Sequence, residues 1–202
     1  LVLLYPFMKR ITWWPQLWLG FTFNWGALLS SAAVAGQIYP WAIALYISGV
    51  FWTLGYDTIY AHQDKDSDIL IGVRSSALRL GTKSKPIISL FYALSLLCLY
   101  ISVELAGLTW PAFVGLVAGG LHLVWQIQKV NLDDPKSCLT VFQSNNSFAA
   151  IIFVGICYPI FEGMVWGEIT LLGQSDSWLA GISGGIPFHD YAGSVVVHSM
   201  GG

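Results

Sequence analysis

Long apolar runs constrain this chain more than any motif it carries. A helix needs roughly 17–25 largely apolar residues to cross the hydrocarbon of a bilayer. Runs of that kind can be read at residues 15–36, 39–59, 86–106 and 110–128, and a fifth covers about 148–161, extending at most to 167. Pro15, Pro40, Pro86 and Pro111 each sit at or beside the start of a run, where a missing N–H costs a helix least. Composition agrees: 55% of the 202 residues are hydrophobic, 10% are charged and the mean hydropathy is +0.65. That indicates an integral membrane protein and excludes an ordinary soluble domain. The expected fold is therefore an all-α multi-span membrane bundle of about five transmembrane helices, followed by a Gly-rich tail. The first residue is Leu1 and no basic start with a cleavage site follows, so the chain is expected to begin inside a larger protein.

The charges are sorted along the chain. Lys9 and Arg10 precede the first run, Lys65, Arg74, Arg79, Lys83 and Lys85 lie between the second and third, and Lys129 and Lys136 lie between the fourth and fifth. Alternating spans put all three groups on one side, which the positive-inside rule makes cytoplasmic or its organellar equivalent. The same side carries six acids, Asp57, Asp64, Asp66, Asp68, Asp133 and Asp134, against its nine cations. Carboxylates for a metal mixed with cations for an anion suit a magnesium diphosphate, although solvated loops share that composition.

The most informative stretch is Asp57 to Asp68. At about 100° per residue, Asp57, Asp64 and Asp68 fall within roughly 40° of one another if one helix runs through all three, and Asp66 faces away. Three like charges on one face repel, so a functional reading needs a cation. Mg²⁺ fits, because it takes only one or two carboxylates, keeps waters and bridges to substrate phosphates. The plainer alternative is a solvated acidic loop that ends a span. Asp57 argues against it, since an ionisable residue against an apolar run is by default a functional candidate. An EF-hand is excluded because Ile69 stands where that loop needs Gly and Ser75 where it needs Glu.

Other residues invite structural readings. Cys98, Cys138 and Cys157 have no paired spacing and read as small buried hydrophobes. Gly115 and Gly119 form a small-xxx-small pair suited to close helix packing. Trp13, Trp14, Trp41 and Trp110 are expected at the membrane interface, and His122 is expected to be hydrogen-bonded packing.

Four stretches occur in the order of one known family: Tyr5-Pro-Phe-Met-Lys9-Arg10, the run from Tyr56 to Asp68, Ile71-Gly72-Val-Arg74-Ser75, and Cys138 through Phe142 to Asn145-Asn146. Over residues 1–160 the chain resembles the UbiA family, and more narrowly its 4-hydroxybenzoate polyprenyltransferases of ubiquinone synthesis. The resemblance implies a partial UbiA-like domain from an all-α enzyme of nine spans around a central cavity, in a bacterial inner or mitochondrial inner membrane. Its implied partners are a polyprenyl diphosphate, 4-hydroxybenzoate, membrane lipid and a missing amino-terminal half, with no nucleic acid.

By the same resemblance, Asp64 and Asp68 are the metal carboxylates of the second of two Asp-rich Mg²⁺ motifs, and Asp57 assists from one helical face away. Tyr5, Lys9 and Arg74 would lie near the diphosphate. The implied mechanism is ionisation: the diphosphate departs, an allylic cation forms in a dry aromatic cavity, and the ring carbon ortho to the phenol attacks it. Tyr60 or Trp52 could face that cation. The family's first Asp-rich motif is absent from this chain, Ser67 stands where a further Asp is common, and Ala149 replaces a familiar Gly.

Residues 161–202 resemble something else. Phe188-His189-Asp190-Tyr191-Ala192-Gly193-Ser194 followed by Val-Val-Val-His198 is similar to the ammonium transporters. That likeness implies a structural role for Asp190 and makes His198 the first of two pore histidines. Three outcomes follow. A prenyltransferase requires Asp57, Asp64, Asp68, Arg74 and Lys9 to converge at one end of the bundle; an ammonium channel fragment requires His198 to line a pore; an inactive bundle requires neither.

Overall fold

The computed structural model describes residues 5–157, and every regular element among them is helical. In chain order these are α1 (Tyr5–Ile11), α2 (Pro15–Phe23), α3 (Trp25–Ala35), α4 (Pro40–Gln63), α5 (Lys65–Ile71), α6 (Ser76–Leu80), a 3₁₀ turn (Gly81–Lys83), α7 (Ser84–Leu105), α8 (Trp110–Lys129), α9 (Pro135–Gln143) and α10 (Asn145–Ile152), closed by a π-helical turn at Phe153–Cys157. Four stretches are long and apolar enough to cross a membrane: Pro40–Gln63, Ser76–Leu105, Trp110–Lys129 and Pro135–Cys157.

Helix α4 is the axis, with α2, α3, α7 and α9 packed round it. At 1.5 Å per residue its 24 residues extend about 36 Å, more than the roughly 30 Å of hydrocarbon. Polar zippers hold it antiparallel to α7. Ser48 Oγ donates to the Ser95 carbonyl at 2.9 Å and Ser95 Oγ returns the bond to the Ser48 carbonyl at 3.0 Å. Near one end Ser102 Oγ donates to the Trp41 carbonyl at 2.9 Å, and near the other His62 meets Ser84 Oγ at 2.8 Å. Close approach is possible because Gly55 lies under the Tyr92 ring, where an added Cβ would come within 2.2 Å of a ring carbon.

Two expected spans are drawn differently. The run 15–36 is not one helix but two, broken at Asn24. Its amide nitrogen donates to the Gly20 carbonyl at 2.7 Å and to Thr53 Oγ1 on α4 at 3.2 Å, and its oxygen packs on Gly49. A polar side chain that satisfies itself on the neighbouring helix interrupts an otherwise uniform apolar stretch. The last span begins at Pro135 rather than near Phe148. Asp134 accepts the Lys136 N–H at 3.0 Å and Pro135 opens the helix, while Cys138 and Val141 turn their apolar side inward.

The small-residue pair does pack closely. Gly115 faces Gly155 of the π-helical turn, where a Cβ would meet the opposing Cα at 2.8 Å, and Gly119 lies against Phe148 and Ile152. Cys138 is buried and all three cysteines are free. Trp41 departs from expectation: it is 2% exposed and packs with Leu99, Val103, Ala112 and Ile156 in the core instead of at the interface.

Candidate functional site

The acidic stretch lies where α4 gives way to α5. Asp64 occupies the break with φ −92° and ψ 2°, ending one helix and preceding the next. The Asp68 N–H still reaches the Asp64 carbonyl at 2.8 Å, so the chain turns at the break without losing its helical bond. One continuous helix through Asp57, Asp64 and Asp68 is therefore corrected to two, and the angular relation applies only up to the break. Gly72, at φ 73°, ends α5: its N–H and that of Val73 both reach the Asp68 carbonyl, at 3.0 and 3.1 Å. A left-handed residue there is the usual glycine stop, and it fixes the backbone that carries Asp68.

Asp68 is 4% exposed. Its Oδ1 accepts Lys9 Nζ at 3.1 Å, while its buried Oδ2 has no protein partner. Lys9 comes from α1, fifty-nine positions away. The same lysine and Asp64 are the charges that act on the half-buried Asp57. Asp64 is half-buried and Asp66 is exposed. Four of the expected residues thus share one end of the bundle, with a cation set among the carboxylates.

Arg74 makes the join rigid. Its N–H donates to the Lys9 carbonyl at 2.9 Å, its guanidinium donates to the Ile11 carbonyl, and the same group lies 5.7 Å from the centre of the Trp13 ring. This cation therefore sits at the carboxyl end of α1, which its charge complements, and its side chain is engaged there rather than with an acid. Tyr5 opens α1, but its side chain lies outside the described residues, as do Asp190 and His198.

Among the described residues no group of three His, Cys, Asp or Glu side chains is close enough to hold a metal unaided. Mg²⁺ does not require a protein cage, since it takes one or two carboxylates and fills its sphere with water and phosphate oxygens. The unpartnered, buried Oδ2 of Asp68 is a donor of the right kind. The residues fit a metal brought in with a diphosphate.

A row of aromatic rings leads inward from this end. Tyr60 lies 4.8 Å from Phe142, Tyr56 lies 5.7 Å from Phe142 and 5.0 Å from Trp52, and Trp52 lies 5.0 Å from Phe148. Trp52 and Phe148 then border an apolar cavity of about 510 Å³ whose other walls include Phe23, Asn24 and Leu99. On α4, Trp52 precedes Asp57 by five residues, or about 7.5 Å of rise.

Beside Trp52 runs a buried polar network that the sequence reading did not connect, although it named Trp52, His122 and Asn145 separately. The Trp52 indole N–H donates to Asn145 Oδ1 at 2.9 Å, Gln126 Nε2 donates to the same oxygen at 3.2 Å, and Tyr92 Oη donates to Gln126 Oε1 at 2.7 Å. His122 joins through the Ser144 carbonyl at 3.1 Å, a packing role as expected.

The UbiA prenyltransferase family matches residues 1–148 and the Ammonium Transporter Family matches residues 142–202. A human 4-hydroxybenzoate polyprenyltransferase, mitochondrial, is 47% identical over 83% of this chain and 44% of its own length. The Arabidopsis thaliana protein of the same name is 48% identical over 77% of the chain and 39% of its own. For 4-hydroxybenzoate geranyltransferase 1 of Lithospermum erythrorhizon the figures are 49%, 77% and 51%. The chain thus spans about half, or less, of the length of these relatives. No solved structure matches it.

Proposed function

This chain belongs to the UbiA prenyltransferase family, and from that premise we propose that it takes part in transferring a polyprenyl group from its diphosphate to 4-hydroxybenzoate, with Mg²⁺, in ubiquinone synthesis. The observation that carries the reading is the buried Asp68, paired to Lys9 through one oxygen and left without a protein partner at the other. That arrangement suits a magnesium diphosphate better than it suits a purely structural ion pair. The names of the mitochondrial relatives support a mitochondrial inner membrane.

In this mechanism Asp64 and Asp68 would hold the metal that arrives with the diphosphate, and Asp57 would add negative potential behind them. When bound, Mg²⁺ supplies charge stabilisation to the leaving oxygens. Lys9 is half-exposed beside Asp68, so its ammonium can neutralise diphosphate charge as well as that of the carboxylate. The C–O bond of the prenyl diphosphate breaks, and the diphosphate keeps the electron pair. Tyr60, Tyr56 and Trp52 present ring faces toward the resulting allylic cation and keep water away from it. The ring carbon ortho to the phenol forms the new C–C bond, and its proton is lost to solvent at the charged end. Tyr5 and Arg74 bound the diphosphate side, Arg74 mainly by holding α1 in place.

The experiment is transfer of a labelled polyprenyl group to 4-hydroxybenzoate in membranes, with and without Mg²⁺, for this chain alone and with an amino-terminal half supplied. Removing one preorganised charge-stabilising group costs roughly 10²–10³ in rate, so Asp64→Asn and Asp68→Asn should each lose at least about 100-fold. Asp66→Asn, on the exposed side, should change little. Transfer that is indifferent to Mg²⁺ and to both substitutions overturns the proposal.

The match to ammonium transporters favours a separate reading of residues 142–202. We propose that residues 161–202 are a joined segment and not an independent domain, with Asp190 and His198 carrying no transport. Methylammonium uptake above background in vesicles would contradict that.

A further inference from the structure

We propose that Asn145 is a positioning residue: it holds the Trp52 indole as the wall between the apolar cavity and the charged end of the bundle, and so keeps water from the prenyl cation. The inference rests on the transferase reading above. Asn145 is 8% exposed and its Oδ1 accepts two N–H groups, from Trp52 at 2.9 Å and from Gln126 at 3.2 Å. Its own amide donates to the Phe142 carbonyl at 2.9 Å, so the acceptor oxygen cannot flip away without losing a bond. Gln126 is wholly buried, and Tyr92 clamps its other end at 2.7 Å.

Four helices are therefore joined by one run of hydrogen bonds that ends on the indole N–H: α7 through Tyr92, α8 through Gln126, α10 through Asn145 and α4 through Trp52. A fully satisfied buried network of this kind specifies one orientation. The orientation has a use, because Trp52 touches Tyr56 on the acidic side, Phe148 beside it, and the cavity on the other. An indole free to turn about χ2 would open a path between the two spaces.

Once the diphosphate has left, the allylic cation has two fates. The ring carbon of the acceptor can capture it and lose a proton, giving the prenylated acid, or water can capture it and lose a proton, giving the polyprenol. The ratio of polyprenol to prenylated acid reports how well water is excluded, and a variant that is merely less stable does not change that ratio.

The test measures this ratio together with diphosphate release, using the protein in membranes with its amino-terminal half. Asn145→Ala and Trp52→Phe, which break the same bond from opposite sides, should each raise the ratio at least threefold. Trp52→Phe keeps most of the ring volume and serves if Asn145→Ala fails to fold. The double variant should match the larger single effect, since the two act as one unit. An unchanged ratio in both single variants, or effects that multiply in the double, overturns the role of Asn145 while transfer itself persists. Absence of Mg²⁺-dependent diphosphate release from the parent protein overturns the transferase reading, and this one with it.

Discussion

Replacing Lys9 with Met keeps the aliphatic stem and removes the ammonium that faces Asp68. Breaking a fully buried ion pair costs about 3–5 kcal/mol, whereas an exposed pair is worth about 0–1 kcal/mol. Here the lysine side chain is 44% exposed and the aspartate 5%, so the pair lies between those limits. The aspartate sets the cost, because its second oxygen already lacks a partner and Lys9→Met leaves a buried carboxylate wholly uncompensated. The expected loss is about 1.5–3 kcal/mol, equivalent to roughly 10–100-fold in the unfolding constant. Unfolding in mixed micelles by added SDS, followed by far-ultraviolet circular dichroism without Mg²⁺ or diphosphate, gives the value. Adding Asp68→Asn to Lys9→Met removes the stranded charge, so the double variant should recover at least about 1 kcal/mol, the size of coupling expected of residues in contact. A single variant as stable as the parent, or strictly additive effects, would show that this pair does not hold α1 against α5.

Two further substitutions probe the packing that places the site. Gly49→Ala puts a Cβ 2.1 Å from the Asn24 oxygen, so it should lose about 1–3 kcal/mol by overpacking, and Asn24→Ala in the same chain should relieve most of that; both are read in the same SDS titration. Tyr92→Phe removes the donor to Gln126 Oε1 and leaves a buried acceptor unpaired, a loss of about 1–3 kcal/mol in that titration; a variant as stable as the parent would contradict this.

The sequence shows its spans and its charges more readily than its breaks. Pro15, Pro40 and Pro111 open α2, α4 and α8 as the placement of a residue without an N–H requires. Lys9 and Asp68, on separate charged segments assigned to one side, meet in the structure. Asn24 was invisible because hydropathy is indifferent to one polar residue in a long apolar run, and its partners, Gly20 aside, come from α4. The start at Pro135 was missed because Lys136, Ser137, Thr140 and Gln143 make α9 look like a loop, while only Cys138 and Val141 face inward.

At the site, helical arithmetic placed Asp57 and Asp64 but had no means of seeing the turn at Asp64. It also drew three carboxylates round a metal where the fold puts Lys9 among them. Arg74, expected beside an anion, binds a helix end, where the carbonyls left without partners in the last turn of α1 accept its N–H groups. The network of Trp52, Tyr92, Gln126 and Asn145 spans ninety-three positions. Its members carry no shared spacing, so only the folded chain brings them together.

The central claim is that Asp64 and Asp68 hold a divalent ion that in turn binds a diphosphate. Mn²⁺ in place of Mg²⁺, observed by electron–nuclear double resonance in membranes carrying this chain with its amino-terminal half, measures that directly. With a non-hydrolysable prenyl diphosphate present, the account predicts phosphorus coupling to bound Mn²⁺ that disappears in Asp68→Asn and leaves Asp66→Asn unaffected. Bound Mn²⁺ without phosphorus coupling, or a coupling that survives loss of Asp64 and Asp68 together, would contradict it.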